Sequence, residues 1–274
     1  MKIHLDPERG EMVLNRLLAH ARAGLLPYNI EDKLPQRHLP KRMRADSQTT
    51  ALFIFFLCLY MRGGIQSEVA TKRLVMVWEE NPDLFVPKFA RNLSTEQIEE
   101  ALVPIMGRWD IKTISKFWKG NAERIDDDWN SNPLAIFDSA NTYEELVFLV
   151  RNKRGQKKWS NAPQGFEGFQ YKMTSMLAYF FVALRLVHMR FPPPVDFQLM
   201  RTALGHGIIR VEGNDAPIRY VEKLQEPYRN WLPKYCTEHG VTDEELADLL
   251  WTFSLAMCST SPGKRVARGG EITS

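Results

Sequence analysis

Thr142-Tyr-Glu-Glu-Leu-Val-Phe-Leu-Val-Arg151, a basic stretch, then Gly168-Phe-Gln-Tyr-Lys172 and a long apolar run decide how this chain is read. Thr142 to Glu145 has the form of a capping box, so an amphipathic helix starts there. The apolar run from Met173 to about Val187 reads as a second, buried helix, and Phe191-Pro-Pro-Pro194 stops the chain from continuing it. Val195-Asp196-Phe197-Gln198-Leu199-Met200-Arg201 then restarts as a third helix, with Asp196 at its mouth. The order is helix, hairpin, helix, and then Pro-Val-Asp opening another helix.

Outside this stretch the sequence is also helical. Apolar positions 13, 14, 17 and 18 predict a helix within residues 1–25. Residues 26–46 hold Pro27, Pro35, Pro40 and the basic run Lys41-Arg42-Met43-Arg44, and read as a covering arm or linker. That run is either a solvated loop or a phosphate contact. Asp46 or Ser47 caps a buried helix that ends at Gly63-Gly64. A helix from Ser67 to Glu80 follows, and Ser94-Thr-Glu-Gln97 opens another as a capping box. Asp110 is placed to cap a helix with Ile111, Ile114, Phe117 and Trp118 on one face. A helix from Tyr220 is expected to break at Pro227 and Pro233, and Thr242-Asp-Glu-Glu245 opens the last one. Strand-like alternation is weak and β-branched residues are sparse, so the expected class is all-α.

Composition narrows the function classes. The chain has 274 residues, 44% of them hydrophobic, enough for a proper core. A formal charge of +3 permits a phosphate-bearing partner without demanding one. The start Met1-Lys-Ile-His-Leu-Asp6 lacks the apolar centre of a signal peptide, and the run Ala51 to Met61 is too short to cross a bilayer. The expectation is a cytoplasmic protein with no membrane partner. Cys58, Cys236 and Cys258 offer neither a disulfide framework nor a zinc spacing, and no metal or other cofactor is expected.

The sequence around residues 142–201 resembles the helix-hairpin-helix DNA glycosylase superfamily, which has an endonuclease III-like fold. Members carry a Gly-x-Gly-x-Lys-like hairpin followed, one helix later, by a Val-Asp whose carboxylate is catalytic. The order of a buried helix, a turn after Met61, several helices, the hairpin and the Asp extends the likeness over about two-thirds of the chain. The resemblance implies a two-lobed helical fold. Residues 47–190 would form a helical barrel lobe, and residues 191–258 a second lobe joined by the N-terminal segment 1–46. Residues 259–274 would be a flexible basic tail. Three departures mark a divergent branch: Gln170 stands at the second hairpin glycine, residues 152–167 form a long charged insertion, and the helix between Lys172 and Asp196 is long.

Base excision breaks a C1′–N bond through a cationic sugar, which a carboxylate held near C1′ stabilises. The resemblance gives Asp196 this role. Read alone, Asp196 is a helix cap, and the two roles are compatible because a helix N-terminus favours negative charge. Lys172 aligns with the nucleophilic lysine of bifunctional members, which forms a Schiff base and permits strand cleavage. The alternative is a lysine that contacts phosphate, with water activated near Asp196. The insertion places Arg151, Lys153, Arg154, Lys157 and Lys158 beside Trp159, Phe166, Phe169 and Tyr171, the mixture a backbone-tracking, base-stacking surface needs. Gly168, Gln170 and Tyr171 belong to the hairpin, and Arg62 and Gln66 lie in the turn where the family fills the gap left by a flipped base. His206, between Gly205 and Gly207, reads as structural. The implied function is a monomeric DNA glycosylase that acts on double-stranded DNA. It would flip out and excise a damaged or enzymatically modified base. Because the hairpin is elaborated, bacteriophage hypermodified bases and hence antiviral defence fit as well as oxidative damage. The rivals are an N-glycosidase on a free nucleotide (similar to the queuosine-salvage family), a base-modifying transferase, and a helix-hairpin-helix module that only grips DNA.

Overall fold

The structure, a computed structural model, describes residues 2–28, 34–61, 67–106, 110–151, 164–212 and 222–258. In chain order the elements are β1 (Lys2–Leu5), α1 (Pro7–Arg22), α2 (Lys41–Arg44), α3 (Ser47–Tyr60), α4 (Ser67–Glu80) and α5 (Pro87–Ala90). They continue with α6 (Thr95–Met106), α7 (Ile111–Trp129), α8 (Leu134–Asp138), α9 (Tyr143–Arg151) and α10 (Tyr171–Ala183). α11 (Phe197–Gly205), β2 (Ile209–Glu212), α12 (Glu222–His239) and α13 (Asp243–Cys258) complete them. Among the described residues the fold is all-α apart from the β1–β2 ladder. The chain divides into two compact units, residues 1–33 with 191–274, and residues 34–190.

The unit of residues 34–190 is built on α3. Asp46 accepts the Thr49 amide at its start, and every side chain from Thr50 to Tyr60 is buried. A helix apolar all round has no solvent face to keep, so other helices must surround it. Phe56 stacks on Trp118 of α7 at 4.2 Å, and Phe53 on Phe85 at 5.4 Å. The Trp118 indole N–H donates to the Leu84 carbonyl, which satisfies the one polar atom of a fully buried ring. α10 packs beside α3 and is buried from Met173 to Phe181. The Ser94–Gln97 capping box forms reciprocally.

Several expectations for this unit are corrected. Asp110 precedes α7 in a left-handed conformation (φ 49°), and its side chain makes no cap bond. α10 ends at Ala183, short of Val187, because Arg185 turns left-handed at φ 59°. Residues 34–46, expected to lie with the N-terminal segment, belong to this unit instead. Leu34, Leu39 and Met43 are buried, Gln36 donates to the Tyr179 hydroxyl at 2.7 Å, and Thr50 donates to the Met43 carbonyl. Their apolar anchors lie scattered among prolines and cations, which hid the pattern.

The other unit joins the two ends of the described chain. β1 pairs antiparallel with β2, Lys2 opposite Glu212 and Leu5 opposite Ile209. This strand pair was not foreseen: the alternation of Lys2-Ile3-His4-Leu5 spans only four residues, too few to mark a strand until its distant partner is known. Asp6 caps α1 with Pro7 at its first position, and Val13, Leu14, Leu17 and Leu18 enter a core with Leu199, Leu232, Leu250 and Phe253. α12 runs unbroken through Pro227 and Pro233. The buried stripe of Leu224, Tyr228, Trp231, Leu232, Tyr235 and Cys236 holds it helical despite the lost backbone bonds. Thr242 caps the Glu245 amide at the start of α13.

Candidate functional site

The candidate site is built where the chain returns to α10. Arg62, Gln66, Lys153, Arg154, Lys157, Lys158 and Trp159 lie outside the described residues, as does the tail 259–274. The return leg from Gln164 to Gln170 is held firmly. The Phe166 amide donates to the Val150 carbonyl at 2.8 Å, tying the leg to the end of α9. Asn121, fully buried on α7, donates to the Glu167 carbonyl at 2.9 Å and accepts the Glu167 amide at 2.8 Å. Arg124 adds an ion pair to the Glu167 carboxylate.

Phe166 and Phe169 were expected on a base-stacking surface. Both are buried instead, 4.9 Å and 4.8 Å from the Phe55 ring. Apolar rings this close to the all-apolar α3 lower the free energy more by leaving water than by staying on a solvent face. They anchor the leg. Gly168 sits between them at φ 83°, a left-handed geometry that glycine adopts without strain.

The leg delivers a compact polar group to the start of α10. Gln170 is extended and exposed, and its side chain makes no cap bond to the first-turn amides. Its Oε1 accepts from Arg151 at 3.2 Å instead. The Arg151 guanidinium lies over the Tyr171 ring, 3.7 Å from the centroid, a cation–π contact that fixes the plane of the fork. The Tyr143 hydroxyl bonds to Ser175 at 2.6 Å, so the start of α9 is tied to the first turns of α10. Lys172 is half-buried in that first turn. Burial pushes the Cys58 thiol well above its ordinary range, and the positive charge of Lys172 pulls it the other way. α10 packs beside α3, and Lys172 lies within electrostatic reach of the buried Cys58. Gly168, Gln170, Tyr171 and Lys172 are thus brought together with Arg151. An uncapped helix start carrying two cations is an arrangement that receives an oxyanion.

Asp196 belongs to the other unit. It is half-buried and caps α11, its Oδ1 accepting the Leu199 amide at 2.9 Å. The reading of Asp196 as a cap is therefore realised. His206 is buried in the same unit, and its carbonyl accepts from Arg9 at 2.9 Å. Burial and the Arg9 charge hold its imidazole below its ordinary pKa. A cavity of about 20 Å³ beside it, lined also by Met12, Leu17 and Phe253, has room for about one water. An open depression of about 480 Å³ lies along β1, bordered by His4, Asp6, Glu8, Arg210 and Glu212. Neither holds a residue singled out from the sequence for chemistry.

Asn121 and Arg124 are the site residues that sequence reasoning missed. The signal was present: Ile114, Trp118, Asn121 and Ile125 recur at helical spacing, so Asn121 is a polar group on an apolar face. Such a group needs a partner, and the return leg is that partner. Among the described residues no cluster of His, Cys, Asp and Glu could hold a metal ion, and no helix is long and apolar enough to cross a membrane. Comparisons with protein-family models, with curated proteins and with solved structures gave no match.

Proposed function

We propose that this chain is a DNA glycosylase that flips a damaged or modified base out of a duplex and releases it. The observation that carries the reading is the anchored start of α10. Asn121, Phe166 and Phe169 fix the leg, Gly168 turns it, and Arg151 and Lys172 are presented at an uncapped helix N-terminus. A rigid, cationic helix start suits one phosphate of a nucleic-acid backbone, which positions the duplex without reading its sequence. Asp196, at the N-terminus of α11, is the carboxylate for the cationic sugar. Its cap bond uses Oδ1.

The test is incubation with duplexes bearing a panel of modified bases, followed by detection of abasic sites. Asp196→Asn keeps a capping side chain and removes the charge. Base release should then fall by about 10² or more, the scale of losing one preorganised electrostatic group, while folding and duplex binding persist. If Lys172 is the nucleophile, borohydride traps a protein–DNA adduct that Lys172→Gln abolishes. If Lys172 only holds phosphate, the wild type yields an uncut abasic strand and no adduct. Full base release by Asp196→Asn would overturn the assignment of the site.

The cap bond supports a second reading. A capping role is enough to account for Asp196, so a module that grips the DNA backbone without chemistry also fits the geometry. Duplex binding with no base released from any member of the panel would favour it.

A further inference from the structure

We infer that the short helix α2, with the Pro35–His38 turn and the outer side of α4, forms a second nucleic-acid contact face, engaging the phosphate backbone of a duplex. The inference rests on the DNA reading above, and goes beyond it by placing a contact outside the hairpin.

α2 has four residues, of which Met43 is fully buried while Lys41, Arg42 and Arg44 are exposed. The helix is pinned from below, because Thr50 of α3 donates to the Met43 carbonyl at 2.7 Å. One apolar anchor thus turns three cations outward on a fixed backbone. A preorganised group of this kind loses less freedom on binding than a mobile basic tail would. The Arg42 guanidinium lies 4.8 Å from the centre of the Trp78 ring on α4 and also pairs with Glu79 at 3.0 Å. This contact joins α2 to α4. The Pro35–His38 turn packs on α4 as well and brings exposed Arg37.

Charge decides what the face accepts. Glu79 is taken up by Arg42, and the Asp46 carboxylate accepts from Thr49 at the mouth of α3. Among the described residues neither Lys41 nor Arg44 has a carboxylate partner. An unneutralised cation pair beside a stacked arginine fits a row of phosphates, which release counterions when bound. A lipid surface fits less well. Binding to a bilayer requires an apolar side to enter it, and one exposed methionine, Met76 of α4, is little to enter it with, since Met43 of α2 is already inside the protein.

The test uses the full chain, a fluorescent unmodified duplex and a salt titration. Lys41→Gln with Arg44→Gln changes two exposed helical positions to a good helix former, so folding should persist. The expected result is a slope of log affinity against log salt shallower by about 2 units, with affinity at fixed salt about tenfold lower. Lys41→Arg with Arg44→Lys should retain both. Unchanged slope and affinity in the glutamine variant would overturn the inference and leave base excision standing. So would loss of binding to phosphatidylserine vesicles without loss of duplex binding. If the variant behaves as expected while the wild type releases no base, the contact face stands and the excision reading falls. A wild type that binds no duplex removes both.

Discussion

Replacing Asn121 by alanine should release the leg that leads into α10. The carboxamide holds both the amide and the carbonyl of Glu167, at 2.8 Å and 2.9 Å, from a fully buried position. Alanine leaves both backbone groups without a partner, and each such group costs about 1–3 kcal/mol unless water reaches it. Alanine is also the better helix former, which returns about 0.5 kcal/mol to α7. The net loss is about 1.5–5.5 kcal/mol, and it falls on the leg first, because Ile114, Trp118 and Ile125 still pack α7 into the core. At about 1.4 kcal/mol per factor of ten, amide exchange at Phe166 and Glu167 should quicken by about ten- to several-thousand-fold. Duplex affinity should drop with it, since Lys172 follows Glu167 by five residues. Hydrogen exchange read residue by residue is the measurement. Exchange at 166 and 167 as slow as in the wild type would refute the argument that Asn121 holds the leg.

Two further outcomes concern the other unit. Gly10 lies within α1, where a Cβ would stand 2.5 Å from the Trp231 ring. The usual gain of about 1 kcal/mol from Gly→Ala in a helix should therefore be overridden by crowding of about 1–3 kcal/mol. Urea unfolding should show Gly10→Ala to be the less stable protein, and less so in a Trp231→Phe background. The second outcome is a pH dependence. His206 has its pKa lowered in the fold, so unfolding takes up a proton between the folded and unfolded values. Stability should then fall as pH drops below the ordinary histidine value of about 6.5. The loss should level off once the folded value is passed. Thermal melting of His206→Asn between pH 5 and 7 should show a shallower decline. An equal decline would exclude His206 as its source.

How much of the fold was legible depended on whether the deciding signal was local. The caps at Asp46, Ser94 and Thr242 need only a side chain and an amide three residues on, and α3, α6 and α13 begin where such pairs occur. The β1–β2 ladder needs two segments about two hundred residues apart, and no window on the sequence contains both. Pro227 and Pro233 misled for the opposite reason. The local cost of proline was read correctly, but the packing of Trp231 and Tyr235 that outweighs it comes from α1 and other distant segments.

The site shows the same division, with an additional lesson about aromatics. Gly168 and the cations Arg151 and Lys172 could be picked out because each residue type has few uses between the end of one helix and the start of the next. Phe166 and Phe169 could not be assigned, because a phenylalanine beside lysines serves equally as a base platform or as an anchor. What separates the two is the residue on the other side, here Phe55 on a helix more than a hundred residues earlier. The polar counterpart is Asn121, conspicuous on an apolar face yet silent about its partner until Glu167 stands opposite it. The start of α10 thus presents charged groups the sequence exposes, and is aimed by groups whose meaning only the packing supplies. Variants of Arg151 or Lys172 should therefore change what the site binds. Variants of Asn121 or Phe169 should change whether it is held in place at all.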